Sequence, residues 1–232
     1  AAIAGIETAT LAGLSTANFA ALGSAQIAKL STAQIGAMTS AQVNALSTAQ
    51  ISGLSAAQIK TITTTALAGL ASTHVAAFAS TQIAALTTDQ LQAFSSDNIV
   101  ALTTKQAAAL SSAQVATLSS AELNSFETAE IAALNVAAIA GITTDAIAGL
   151  NSTVLTALST AHVATLTTTQ IASLKTDQIK ELTTNQIKAL TAKQVAAITT
   201  TVIGSLKTEQ VAVLSNAQHV ALSTDQLQAF VS

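Results

Sequence analysis

Residues 30–37 read Leu-Ser-Thr-Ala-Gln-Ile-Gly-Ala, and this eight-residue unit recurs along the whole 232-residue chain. Position one of the unit is Leu, Ile, Met or Phe in all twenty-nine copies from Ile6 to Phe230, without insertion or deletion. Such strict periodicity is typical of arrays in which each unit packs against its neighbours. The sequence therefore predicts one continuous array of octapeptide repeats over residues 1–232. Both ends stop in mid-pattern, so we expect a fragment of a longer repeat region.

Position six of the octad is also apolar, in twenty-seven of twenty-nine copies, with Ala107 and His219 as the exceptions. A single continuous α-helix cannot hold positions one and six on one stripe. Eight residues turn through about 800°, so the stripe would drift by about 80° in every octad. The chain must therefore bend once per octad, and small residues at position eight would let neighbouring units approach closely.

The polar positions indicate what lies between the bends. Ser or Thr at position two and Gln at position five form a capping box, and the apolar residues at positions one and six flank it as a hydrophobic staple. Ser47, Gln50, Leu46 and Ile51 are one complete example. Eight of the eleven acidic residues lie at positions four and five, in the first turn of such a helix, where the helix dipole favours negative charge. The pattern predicts an all-α solenoid of very short helices, one per octad.

Two details stay open at this point. In copies such as those of Ala71 and Lys175, position two carries no hydroxyl group, and the Ser or Thr at position three is the better N-cap candidate. The number of octads in one turn of the solenoid is also undecided, because no 16- or 24-residue modulation stands out.

A β-solenoid is the alternative fold, since Thr, Ile and Val favour strands. Positions one and six have opposite parity in a strand, however, so each coil would need a bend within the octad. Gly, Asn and Asp, which make such bends, are scarce and not periodic here. The α-solenoid is therefore favoured over the β-solenoid.

Composition restricts the classes of function. The chain has eight lysines and no arginine, and its net charge is −3. Because phosphate binding needs clustered basic residues, we expect no nucleic-acid partner. We also expect no membrane span, because every octad interrupts its apolar positions with polar residues, whereas a spanning helix needs about 20 mostly apolar residues.

No catalytic, cofactor-binding or metal-binding residues are predicted. His74 and His162 replace the glutamine at position five and are interpreted as polar substitutions at a cap position. His219 replaces an apolar residue, and we expect Val220 to take its place in the core. No Ser-His-Asp arrangement and no metal-ligand spacing occurs in the sequence, so we expect neither an enzyme nor a cofactor.

The octad pattern as a whole resembles the octapeptide-repeat regions of very large bacterial secreted, adhesin-like surface proteins. This resemblance implies an extracellular or cell-surface location and a structural role as a stalk or filament. The hypothesis is a rod-forming or filament-forming segment that self-associates end to end. The alternative is a binding module that presents regular Thr and Ser rows, for adhesion or for binding ice. No residue indicates a specific ligand.

Overall fold

The computed structural model describes residues 3–230, and the four terminal residues of the predicted array lie outside this range. Within it there are 27 α-helices of four to six residues, two short 3-10 segments and no strand. The predicted all-α repeat of very short helices is confirmed, and the β-solenoid alternative is wrong.

The described chain divides into two compact units, with the division between Leu110 and Ser111. The single continuous array therefore stays a prediction. The first unit contains a 3-10 segment, Ile3–Gly5, followed by α1 Thr8–Ala12, α2 Thr16–Ala20, α3 Ser24–Ile27, α4 Thr32–Gly36, α5 Ser40–Asn44, α6 Thr48–Ser52, α7 Ala56–Ile59, α8 Thr64–Ala68, α9 Ser72–Ala76, α10 Ser80–Ala85, α11 Thr88–Gln92, α12 Ser96–Val100 and α13 Thr104–Ala107.

The second unit has the same kind of elements. They are α14 Ser112–Val115, α15 Ser120–Ser125, α16 Thr128–Ala133, a 3-10 segment Val136–Gly141, α17 Thr144–Ala148, α18 Ser152–Ala157, α19 Thr160–Thr165, α20 Thr168–Ala172, α21 Thr176–Glu181, α22 Thr184–Ala189, α23 Ala192–Ala197, α24 Thr200–Ile203, α25 Thr208–Val211, α26 Asn216–Val220 and α27 Thr224–Gln228.

The bend between helices uses ordinary backbone conformations. After α22, Leu190 has φ −61° and ψ 137°, and Thr191 has φ −70° and ψ 158°. Two successive extended residues, at positions one and two of the octad, thus turn the chain before the next helix begins. No residue between 3 and 230 has a positive φ, so these bends do not need glycine.

The predicted capping box and hydrophobic staple are present. The Ser47 hydroxyl accepts a hydrogen bond from the Gln50 backbone N–H at 3.2 Å, and Gln50 Oε1 accepts from the Ser47 backbone N–H at 2.6 Å. Leu46 and Ile51, on either side of the box, are both buried. Each octad therefore starts its helix with its own side chains.

Position two is the N-cap even where it carries no hydroxyl group, so the preference for position three in those copies is wrong. In the octad of Lys175, the backbone N–H of Lys175 donates to Gln178 Oε1 at 2.9 Å, and this half of the box does not depend on the side chain at position two. The N-caps without a hydroxyl group at such positions are Glu7, Ala71, Ala79, Glu127, Lys175 and Lys207.

Positions one and six form the core of each unit, as predicted, and Ala107 at position six is also fully buried. Helices pack on helices three octads away, as α5 packs on α8 and α19 packs on α22. One turn of the coil in each unit therefore contains three octads, or 24 residues. Stacking is what keeps these helices folded, because isolated helices below about 12 residues are marginal in water.

The glutamine at position five has a second role that its place in the capping box does not reveal. Gln186 is buried, and its Nε2 donates to the carbonyl oxygen of Leu155 at 2.8 Å and to that of Leu158 at 2.7 Å. Those carbonyls lie at the end of α18 and in the bend before α19, the helix on which α22 packs. At the same time, Gln186 Oε1 accepts from the Thr183 backbone N–H at 2.8 Å.

The same bonds recur throughout both units. Gln106 in the first unit donates to the carbonyls of Val75 at 2.8 Å and Phe78 at 2.7 Å. We call the position-five glutamines with acceptors both 31 and 28 residues earlier the inter-turn ladder. Its members are Gln34, Gln42, Gln82, Gln90, Gln106, Gln170, Gln178, Gln186, Gln194, Gln210 and Gln218.

The ladder predicts a difference between two otherwise equivalent glutamines. Gln186→Leu removes the bonds between turns and leaves buried carbonyls unpaired, so we expect the free energy of unfolding to fall by roughly 1–3 kcal/mol. Gln26 is the matched control, because it is exposed and only caps its own helix, through a 2.7 Å bond from the Gly23 N–H. Gln26→Leu should change the free energy of unfolding by only about 0.5 kcal/mol. Urea denaturation followed by circular dichroism measures both, and equal losses would contradict the ladder's role.

Candidate functional site

The outer face of the repeat is formed by positions two, three and four. In the octad of Leu166, the side chains of Thr167, Thr168 and Thr169 are exposed, while Gln170 and Ile171 are buried. Thr167 accepts the cap bond from the Gln170 N–H at 3.2 Å. The hydroxyl at position three is not the cap acceptor and faces solvent, so rows of position-three hydroxyls are available to a partner.

His162 lies in the inter-turn register, where it does the work of a glutamine. Its side chain is buried, and its Nε2 lies 2.9 Å from the Leu134 carbonyl oxygen, 28 residues earlier. Its Nδ1 accepts from the Ser159 backbone N–H at 3.2 Å. Because Nδ1 accepts, Nε2 carries the proton and donates to Leu134. The interpretation of His162 as a substitution at a cap position is thus confirmed, with an added bond between turns.

The other two histidines are placed differently. His74 also stands at position five, and its buried Nδ1 has no hydrogen-bond partner among the described residues. His219 is half-buried at position six, and its Nδ1 lies 3.1 Å from the Ser215 carbonyl oxygen of its own helix. Val220 is 86% exposed, so the expectation that it takes the place of His219 in the core is wrong. The three histidines are far apart in sequence and no contact joins them in the hydrogen bonds described.

Asn124 makes a second kind of bond between turns, which the sequence analysis missed. Its Nδ2 donates to the Gly149 carbonyl at 2.9 Å, and its Oδ1 accepts from the Asn151 backbone N–H at 2.9 Å. The octad of Asn151 has Val154 instead of Gln at position five, so it has no glutamine to accept from that N–H. Asn124 supplies the missing acceptor from the preceding turn.

Several octads without the glutamine have glycine at position eight, as in the pairs Ala138–Gly141 and Ala146–Gly149. A Cβ atom on Gly141 would lie 2.0 Å from the Ser112 backbone oxygen, which is far inside van der Waals contact. The turns of the second unit therefore approach each other closely at this glycine. The expectation that small residues at position eight permit close packing is confirmed there.

The concave features of the surface are shallow grooves between stacked helices. One, with a volume of about 330 Å³, lies between α18 and α21 and is lined in part by Asn151, Ser152, Asp177 and Glu181. Two others of about 340 Å³ have linings of the same kind, mostly Thr, Ser and Ala. Residues 3–230 contain no group of three or more His, Cys, Asp or Glu side chains placed to hold a metal ion.

The repeat unit matches a known family. The model of the ALTTAQ repeat matches residues 3–40, 28–64, 83–120, 155–184 and 173–200, which together are more than half of the chain. The chain belongs to the ALTTAQ repeat family. The six letters correspond to position eight of one octad and positions one to five of the next, as in Ala101–Gln106, Ala-Leu-Thr-Thr-Lys-Gln. The capped helix start and the ladder glutamine therefore both lie in the segment for which the family is named.

No curated protein matches this ALTTAQ repeat chain. In the described residues, the helices are all too short to cross a lipid bilayer. The predicted lack of a nucleic-acid partner stays a prediction.

His162 offers a direct test of the inter-turn register. Glutamine at this position can form the same two bonds, so His162→Gln should change the free energy of unfolding by no more than about 1 kcal/mol. His162→Leu can form neither bond, buries an unpaired N–H and an unpaired carbonyl, and should cost roughly 1–3 kcal/mol. Chemical denaturation of the three proteins under identical conditions gives these values. If His162→Leu is as stable as His162→Gln, the two hydrogen bonds of His162 contribute nothing.

Proposed function

We propose that this ALTTAQ repeat chain is a structural segment, a rod of stacked turns in an exported bacterial surface protein. The observation that carries the proposal is the inter-turn ladder. In octad after octad, the one buried polar side chain binds backbone carbonyls of the preceding turn, as Gln186 and Gln106 do. Both the apolar core and the buried amides are thus used to hold turn against turn, which is what a load-bearing spacer requires.

The outer face supports the extracellular part of the proposal. It carries mainly Thr, Ser and Ala, with 19 charged residues in 232 and no cysteine. This composition is common in bacterial exported surface repeats, and a repeat held by amide bonds and apolar packing does not need disulfides. The proposal assigns the chain no catalytic role and no nucleic-acid partner, because its lysines are scattered and its histidines stand alone.

The location is tested on cells of the organism that makes the protein. Antibodies raised against the 232-residue chain should label intact, unpermeabilised cells, and immunogold electron microscopy should place the label outside the outermost membrane. An antibody against a cytoplasmic protein, which labels only permeabilised cells, is the control. Labelling by the repeat antibody only after permeabilisation would reject the surface role.

A binding role for the hydroxyl rows is the second candidate, for adhesion or for ice. It is favoured by the exposure of position three, where Thr168 faces solvent while the cap bond is made by Thr167. Ordered rows of hydroxyl groups with few charges could organise water at an ice surface. A nanolitre osmometer measures thermal hysteresis and crystal shaping by the purified chain, and the absence of both effects would remove ice as the ligand.

A further inference from the structure

The first turn of the coil presents hydrogen-bond donors that have no preceding turn to bind. Asn18 and Gln26, at position five, are exposed, whereas the ladder glutamines of later turns are buried. Gln26 caps its own helix through Oε1, and its Nε2 has no acceptor in the described chain. Leu14 and Leu22, at position one, are only half-buried there. This first-turn face, residues 6–29, thus combines side-chain amides with partly exposed apolar groups.

The last turn presents the complementary groups. The carbonyl oxygens of Leu214 and Leu222 stand at position one, where the equivalent carbonyls of earlier octads accept from a ladder glutamine. No described side chain donates to these two carbonyls. Leu227, at position six, is 43% exposed, although Ile203 at the same position one turn earlier is completely buried. This last-turn face, residues 206–229, thus combines unpaired acceptors with partly exposed apolar groups.

We propose that the last-turn face of one molecule docks on the first-turn face of a second copy of this chain. The proposal rests on the structural role proposed above and names the partner. Donors lie on one face and acceptors on the other, in the spacing that joins successive turns inside each unit. Asn18 can act there as Asn98 does, since Asn98 Nδ2 donates to the Leu70 carbonyl 28 residues earlier at 3.0 Å.

Like faces do not fit each other in this way. Two first-turn faces would bring amide donors against amide donors, and two last-turn faces would bring carbonyls against carbonyls. The contact is therefore head to tail, and it does not close on itself. A contact of this type adds further copies at both ends and propagates into a filament.

Four single variants of the 232-residue chain test the docking. Gln26→Glu replaces the amide donor on the first-turn face with a carboxylate, which repels carbonyl oxygens. Leu227→Asp places a charge on the last-turn face. The matched controls are Gln92→Glu and Val100→Asp, since Gln92 is an exposed glutamine and Val100 is 48% exposed, and both lie away from the two faces in sequence. Far-UV circular dichroism verifies that all four variants are folded.

Sedimentation velocity over a wide range of concentration measures the association. The wild type and both controls should form oligomers that grow with concentration, whereas Gln26→Glu and Leu227→Asp should each raise the apparent dissociation constant at least tenfold. A mixture of these two variants should form one-to-one dimers and nothing larger, because each keeps one intact face. Growth of the mixture beyond dimers, or association of Gln26→Glu equal to that of the wild type, would overturn the head-to-tail contact.

Failure of this inference is distinguishable from failure of the structural role. A wild-type chain that stays monomeric at every concentration overturns end-to-end docking, whereas labelling of intact cells would still support the surface role. Labelling only after permeabilisation, together with concentration-dependent oligomers, would reject the surface role and support the docking.

Discussion

The hydrogen bonds from the position-five glutamine are the interaction on which the rest of this structure depends. A solenoid of very short helices ends a helix every eight residues, and each end leaves backbone carbonyls without partners inside the helix. Burying such groups unpaired costs roughly 1–3 kcal/mol each. The Nε2 of residues such as Gln186 pairs with carbonyls of the preceding turn, and its Oε1 pairs with the N-cap N–H of its own helix. One side chain thus resolves the hydrogen bonding of two bends.

Departures from glutamine show what this position demands. His162 keeps one acceptor and one donor in the same directions, and it bonds to both turns. Where Val154 stands instead, Asn124 of the preceding turn supplies the acceptor for the Asn151 N–H. In the Ala138 octad the turns come into close contact at Gly141. The fold therefore tolerates loss of the glutamine in places where another group pairs with the backbone or where the turns pack more closely.

Much of this architecture could be predicted from the sequence because its causes are local. The capping box of Ser47 and Gln50 fixes where a helix begins, and the apolar pair Leu46 and Ile51 fixes which side is buried. The second role of the glutamine could not be predicted in that way, because its acceptors lie about 30 residues earlier. The pair Lys175–Gln178 carries a signal of it, since glutamine is retained there although no hydroxyl group completes the box.

The exposure of Val220 was missed for a related reason, since burial at one position depends on whether another turn packs over it. The number of octads in a turn was also out of reach, because every octad is nearly equivalent to its neighbours. Stacking at a distance of 24 residues leaves no mark on a period of eight.

The ordinary backbone conformation of the bends has a consequence for how such a chain can change over generations. No bend in residues 3–230 requires a positive φ, and positions two, three and four tolerate Lys, Glu, Ala, Asn and Asp as well as Ser and Thr. Most of the unit is therefore open to substitution, provided that positions one, five and six are kept. Gain or loss of one octad, which is a stretch of 24 nucleotides in the gene, restores every ladder spacing. Unequal recombination between copies can thus lengthen or shorten the array while each remaining helix keeps its environment.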